Sequence, residues 1–428
     1  VGIIAILAFI PYLTLQIKGM AYIFNVLTYD NIPYWLGALL SFGIVVIYVA
    51  TSGVRGAAWS DVFQAILMLI IAWVLGSYFV EKLHGGIGNM FEGIVSNNSN
   101  ILVIGEDGSA MSKSRYSSNI IISMIGFVMW PHLFTKSYTT TEKRIKTTVA
   151  VYPIFALFLL PVLFIGFSGI GIVDKTDIDS PGQILPYLIT NFLTESGLLY
   201  GIVGAGALAA AMSSSDAITH GASVSFGRDI CKAIKPDISE NIELWIMRIA
   251  VFIIGGISYL LAIFGSEGLI QLLLGAYGPI AQLAPAVYSA LFFKRVNATS
   301  VILGLLFGVI VTLYYQYISP LTPFDLHAGL IGLVVNITVI TAVSIIFKQS
   351  PQEKVKSEEF IFPGSNFVCD GIEICEKKCI VEDQALLTIN TPVGEWYNTK
   401  IGNGQFRWCE GGVTEIGIID AQKGTTLD

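Results

Sequence analysis

Over the first 347 positions, apolar residues fall into blocks of about bilayer length parted by short polar turns. A membrane-spanning helix needs roughly 20 such residues. Ten blocks meet that length: 1–27, 33–51, 57–80, 118–136, 149–173, 197–225, 243–265, 268–293, 299–318 and 326–347. Turns such as Tyr29-Asp30-Asn31-Ile32-Pro33 and Gly265-Ser266-Glu267-Gly268 suit antiparallel helix hairpins. The longest interior gap, 81–117, is rich in Gly, Asn and Ser and reads as a water-exposed loop with room for a short helix. After position 347 the pattern changes: hydropathy drops, and β-like runs such as Ala385-Leu386-Leu387-Thr388-Ile389 and Gly402-Asn403-Gly404-Gln405-Phe406 alternate with turn signals. The pattern predicts an all-α polytopic membrane domain over 1–347 and a small C-terminal tail, β-like or disordered, over 348–428.

Composition agrees. Hydrophobic residues make up 54% of the chain and charged ones 13%. A soluble domain carries about 25% charged residues. With a mean hydropathy of +0.70, these values exclude an ordinary soluble enzyme and a disordered chain. The net charge of -7 and the lack of a basic patch argue against nucleic-acid binding.

Lys and Arg orient the spans, because cytoplasmic loops collect them. With the first span running outward, the inner loops hold Arg55; Lys136, Lys143, Arg144 and Lys146; Arg228, Lys232 and Lys235; Lys294 and Arg295; and Lys348, Lys354 and Lys356. The outer loops hold only Lys82, Lys113, Arg115 and Lys175. This distribution predicts a multi-pass protein of the cell membrane with its tail in the cytoplasm. Cys369, Cys375, Cys379 and Cys409 lie in that tail, in a spacing that matches no common zinc pattern, and read as free thiols. The chain opens Val1-Gly2-Ile3-Ile4, already inside an apolar run and without a basic leader. It is therefore expected to be a piece lacking its native N-terminal part.

Polar residues at membrane depth are expensive and mark function by default. Four places stand out. Asp61 and Gln64, three apart, share a helical face at the start of the third block; Asp61 also fits a first-turn acid that favours the helix dipole. Ala209-Ala210-Ala211-Met212-Ser213-Ser214-Ser215-Asp216, followed by Thr219 and His220, puts small residues and hydroxyls in the middle of the sixth. Small residues let helices approach closely, but packing needs no Asp, and hydroxyl and carboxylate oxygens are hard ligands for a cation. Met129-Trp130-Pro131-His132 interrupts the fourth block, where Pro breaks backbone hydrogen bonds that can line a cavity or produce a simple kink. The run from Leu274 to Pro285 carries Gly278, Pro279 and Pro285 and reads as a hinge or gate. Lys18, beside Gln16, is a weaker candidate that could instead snorkel to an interface.

At these motifs the sequence resembles the sodium:solute symporter family, whose fold is the LeuT-type inverted-repeat helix bundle. Ser52-Gly53-Val54-Arg55-Gly56-Ala57-Ala58-Trp59-Ser60-Asp61-Val62-Phe63-Gln64 resembles one family signature. Gly204 to Ser214 followed by Gly227-Arg228-Asp229-Ile230 resembles another. The resemblance covers residues 1–347. It equates the first block with core helix three, blocks two to eight with core helices four to ten, and the last two with peripheral helices, so core helices one and two would be missing. It implies sodium as the coupled ion, with hydroxyl ligands at Ser213 and Ser214, a carbonyl ligand at Ala210 and further ligands on core helix one. It also implies an acidic residue of the inner ion pathway at Asp61. Asp216 stands where members with a second sodium site carry Ser, a departure that leaves a cation or a proton as its partner. Pro11-Tyr12-Leu13-Thr14-Leu15-Gln16-Ile17-Lys18-Gly19 and Trp130-Pro131-His132 look like the monocarboxylate-permease branch.

The expected function is sodium-coupled import of a small organic solute, a monocarboxylate or similar anion, by alternating access across the lipid bilayer. The solute would pass between Gln16, Gln64, Trp130, Pro131 and His132. The rivals are a transporter-like membrane sensor, for which the tail shows no signalling motif, a non-functional fragment of a symporter, and a membrane enzyme, for which no nucleophile or metal-ligand spacing exists.

Overall fold

The computed structural model describes residues 2–97, 99–105, 111–133, 140–157, 159–174, 176–193, 197–293, 295–319, 321–351 and 353–354, and short strands between 366 and 418. Among these residues, nine helices are long and apolar enough to cross a membrane. The chain forms two compact units, one of Val1–Ala284 with Gly304–Ile337 and one of Pro285–Leu303 with Thr338–Asp428.

The first unit is built around α1 (Gly2–Leu27). This helix packs against α2 (Tyr34–His84), α8 (Gly197–Val224), α9 (Glu240–Phe264) and α10 (Leu269–Ala281). Its centrality explains why Ala5, Ala8, Phe9, Leu13, Ile17, Met20 and Ala21 are all buried. Just before Pro11, Thr14 Oγ1 and Ser258 Oγ both donate to the Ile10 carbonyl, at 2.8 and 3.2 Å, the second tying α1 to α9. The turn after α1 is tight: Tyr29 and Asp30 take positive φ, and Thr28 Oγ1 accepts the Ile32 N–H at 3.0 Å.

α2 differs from the sequence expectation. Two spans with a loop around Arg55 were expected, yet helical backbone continues through 52–58. No Pro lies between Tyr34 and His84, and Gly53 and Gly56 cost a helix only about 1 kcal/mol each, so nothing forces a coil. The two halves are nevertheless separate spans, Tyr34–Thr51 and Trp59–His84. A hydrogen bond joins the Tyr48 and Ser60 hydroxyls, 12 residues apart. Twelve residues of straight helix extend about 18 Å, beyond the reach of these side chains. The helix axis therefore bends between them. The side chains of 52–58 lie outside the described residues.

The described residues of 81–117 are mostly exposed or half-buried and include the short helix for which the sequence left room. α2 ends at Gly85, whose φ of 67° is a left-handed cap that glycine adopts without strain. α3 (Ile87–Asn97) then buries Met90 and Ile94 against Val80, with Phe91, Phe164 and Phe167 around them.

The fourth block is not a continuous span. α4 (Lys113–Phe127) starts on the Ser112 hydroxyl, which accepts the Arg115 N–H at 3.1 Å, and ends before Trp130. Pro131 supplies no N–H and disfavours helical geometry at the residue before it. The positions 134–139, including Lys136, lie outside the described residues. Next come α5 (Glu142–Ala156) and α6 (Leu159–Ser168), which form one apolar span, then α7 (Ile184–Phe192) and α8. α8 widens into a π-helix at Ser225–Lys232, where Arg228 and Lys232 pair with the buried Glu243 of α9 at 2.9 and 3.1 Å. Past α10 lie α11 (Leu283–Phe292), α12 (Ala298–Leu313) and α13 (Ala328–Ile346).

In the second unit, Asn297 Nδ2 donates to the Phe347 carbonyl at 2.7 Å and Ser344 to Ser300 at 2.9 Å. Its tail contains antiparallel pairs Asn366–Cys369 with Ile372–Cys375 and Thr388–Thr391 with Gly394–Tyr397, and a three-stranded piece, Thr399–Ile401, Gln405–Glu410 and Val413–Ile418. The side chains of the four tail cysteines lie outside the described residues.

Candidate functional site

The depth of each polar residue follows from helix register. α8 and the second half of α2 run antiparallel. Leu75 and Val203 share a core cluster, a Cβ at Gly206 would meet Ile71, and Met68 and Ala210 line one cavity. Steps down one helix thus match steps up the other. Continued at the same rise, the register sets Gln64 level with Ser214 and Asp61 level with Asp216. α1 and α8 are also antiparallel, with Gly2 beside Ser225, Phe9 beside Gly221 and Leu27 beside Gly204. That register sets Gln16 level with Ser214 too. The two registers thus extrapolate to a shared level for Gln16, Gln64 and Ser214, close to the middle of the apolar span Gly197–Lys232.

The side chains at this depth are partly committed. Ser213 Oγ donates to the Ala210 carbonyl at 3.0 Å, and Ser215 Oγ to the Ala211 carbonyl at 2.8 Å. Donation leaves the oxygen lone pairs of Ser213 available to a cation. Asp216 is buried and its Oδ1 accepts the Ala217 N–H at 2.6 Å. Gln64 Oε1 and Thr219 Oγ1 are buried without a hydrogen-bond partner among the described residues. Hard oxygen donors left over at membrane depth suit an alkali cation. From Ala210 an apolar cavity of about 440 Å³ extends past Gly206 and Ala207 to Met68, Ile71 and Leu75.

The broken end of α4 lies against the same helices. Trp130 is 2% exposed. Its ring lies 4.9 Å from Tyr12, 5.6 Å from Phe9 and 5.7 Å from His132, and meets Tyr277 edge-on at 5.8 Å. A Cβ at Gly221 would come 2.8 Å from that of His132, so only glycine lets α8 approach the break. Tyr12 and Gln16 are four apart on α1 and so share the face turned to Trp130. Pro131 begins the turn in which Leu133 N bonds the Trp130 carbonyl at 3.0 Å.

Gly278 and Pro279 lie in α10, and Pro285 lies in α11. The residue between the two helices, Gln282, is fully buried and hydrogen-bonded to Gly278, Thr312, Gly329 and Asn336. Sequence reading passed over this group, although Asn336 and Thr312 at membrane depth were a usable signal. It also passed over Arg115, which grips Asp325 at 2.7 Å and Thr322 at 3.2 Å. Lys18 is not in the path: Nζ donates to the Gly265 and Glu267 carbonyls at 2.7 and 2.8 Å, capping the end of α9.

Apolar spans packed around α1, with a helix broken beside it, have the form of a multi-pass membrane transporter. The model of the sodium:solute symporter family matches residues 2–308. The chain belongs to that family. It is 30% identical over 366 residues to the uncharacterized symporter YhjB of Bacillus subtilis (strain 168), covering 82% of this chain and 73% of that one. A monocarboxylate transport permease protein of Rhizobium johnstonii is 24% identical, with 80% and 70% covered. The fold is similar to that of a solved Na+-coupled sialic acid symporter in a substrate-bound outward-open state, at a TM-score of 0.61 and 22% identity, covering 81% of this chain and 75% of that one.

Proposed function

We propose that this protein is a sodium-coupled symporter that imports a small organic solute, a monocarboxylate or similar small organic anion, by alternating access. What supports the reading is the antiparallel register of α1 and α2 with α8, which extrapolates to one level for Gln16, Gln64 and Ser214, together with the packing of Tyr12 on Trp130 beside the break. In this reading the Ala210 carbonyl and the Ser213 and Ser214 hydroxyls hold the sodium ion. Asp61 and Asp216 attract it along its path. Gln16, Gln64, Trp130, Pro131 and His132 border the solute, and Gly278, Pro279 and Pro285 shape the gate. The Rhizobium permease supports the solute class.

Sodium enters from outside, where the membrane potential favours it by about 2.3 kcal/mol per charge per 100 mV. Its binding stabilises the state that takes solute, and by reciprocity solute tightens sodium binding. Release follows when the site opens inward. The excess of Lys and Arg in alternate loops supports a cell-membrane location with residues 348–428 as a cytoplasmic tail behind a transport domain of 1–347. The test is uptake by the protein, expressed from its native gene, in proteoliposomes. Ser214→Ala raises the sodium concentration for half-maximal uptake about tenfold, the loss of one ligand worth roughly 1.4 kcal/mol. Unchanged sodium dependence contradicts the assignment.

A further inference from the structure

Pro279 lies inside α10, which ends at Gln282 before α11 begins; this helix end invites the reading of a free hinge, but its polar groups are already taken. The Gln282 N–H bonds the Pro279 carbonyl at 3.1 Å instead of that of Gly278. The vacated Gly278 carbonyl accepts from the Gln282 side chain itself, Nε2, at 3.2 Å. The same Nε2 reaches Thr312 Oγ1 on α12 at 3.2 Å and the Gly329 carbonyl on α13 at 2.9 Å. Asn336 Nδ2, from α13, donates to the Gln282 main-chain oxygen at 2.8 Å. Backbones touch here as well, since a Cβ at Gly329 would lie 2.6 Å from Gly278 Cα. Gln282 and Asn336 are both 0% exposed. With both side chains enclosed, bending at this junction would strand polar groups in an apolar surrounding.

We propose that Gln282 is a positioning residue that pins the end of α10 to the adjoining parts of α12 (304–313) and α13 (328–337), so that these segments of the first unit move as one body through the transport cycle. The role rests on the transport reading; the rigid junction itself does not. The cycle then turns on motion against this body, not on flexing within it.

The Cβ position of Gly278 lies 2.9 Å from Thr312 Cγ2, which suits a disulfide between Gly278→Cys and Thr312→Cys. In membranes, that pair cross-links to the same extent without sodium, with sodium, and with sodium and a short-chain monocarboxylate. Oxidation leaves uptake by this variant as it is in the reduced state. A cross-link whose yield follows sodium or solute, or uptake lost on oxidation and restored by reduction, overturns the proposal. Gln282→Leu keeps the volume and removes the pin: turnover falls about tenfold with KM little changed, and the cross-link, added to it, restores turnover. A Gln282→Leu protein of unaltered turnover, or one the cross-link does not rescue, also overturns it. Absent sodium-dependent uptake in the unaltered protein would strike the proposed function, while the cross-link yields still decide whether this junction is rigid.

Discussion

Lys18 shows how burial alone misleads. A cationic side chain buried in a membrane helix looks like an ion-path residue, yet its ammonium serves the open carbonyls at the end of α9. Lys18→Met would strand the Gly265 and Glu267 carbonyls and lose two charge-assisted bonds of about 1.5–3 kcal/mol each. The expected result is a lower melting temperature in detergent with unchanged sodium affinity; a changed sodium affinity would return Lys18 to the path. Asp325 makes a different prediction. It lies outside the spans, and the Ser112 hydroxyl and the Arg115 guanidinium hold its carboxyl below the usual carboxylate range. A depressed pKa contributes stability above the ordinary carboxylate value and loses it as pH falls through the depressed one. Because Asp325 is 52% exposed, screening limits the gain to about 1 kcal/mol or less. Melting measured from neutral to acid pH should lose a small component on acidification, and Arg115→Ala should remove most of it.

At the scale of elements, the two informative features are a helix that stops and a helix that turns. α4 stops because Pro131 follows Trp130, and the gap is filled by Phe9, Tyr12 and Tyr277 from other segments and by the neighbouring His132. Pro131→Ala restores the missing N–H and lets helix run through the break. It should lower uptake at least about tenfold, and uptake at the original rate would make the break a mere kink. α2 turns where the sequence suggested a loop. The break at Pro131 was legible because proline leaves one backbone outcome. The bend at 52–58 was legible as two spans but not in its backbone, because Gly and Ser permit either coil or helix. The partners of Lys18 and Gln282 were illegible for another reason. Each bridges segments far apart in sequence, as with Lys18 to Gly265 and Gln282 to Asn336, and one chain read alone carries no record of such pairings.

At the scale of the molecule, the fold was readable because bilayer thickness sets helix length, and nine of ten expected blocks correspond to apolar spans among the described residues. The common depth of Gln16, Gln64 and Ser214 was not readable, since it depends on the register between α1, α2 and α8. That register links the fold to the proposed work of the protein: in the proposed reading it sets hydroxyl and amide oxygens of three helices at one level. The direct test of sodium coupling is uptake of a labelled short-chain monocarboxylate into proteoliposomes holding the protein expressed from its native gene, with an imposed inward sodium gradient. The account predicts transient accumulation above equilibrium that collapses when the sodium gradient is dissipated by an ionophore. Accumulation that persists after the gradient is gone, or that is as large in potassium as in sodium, would contradict it.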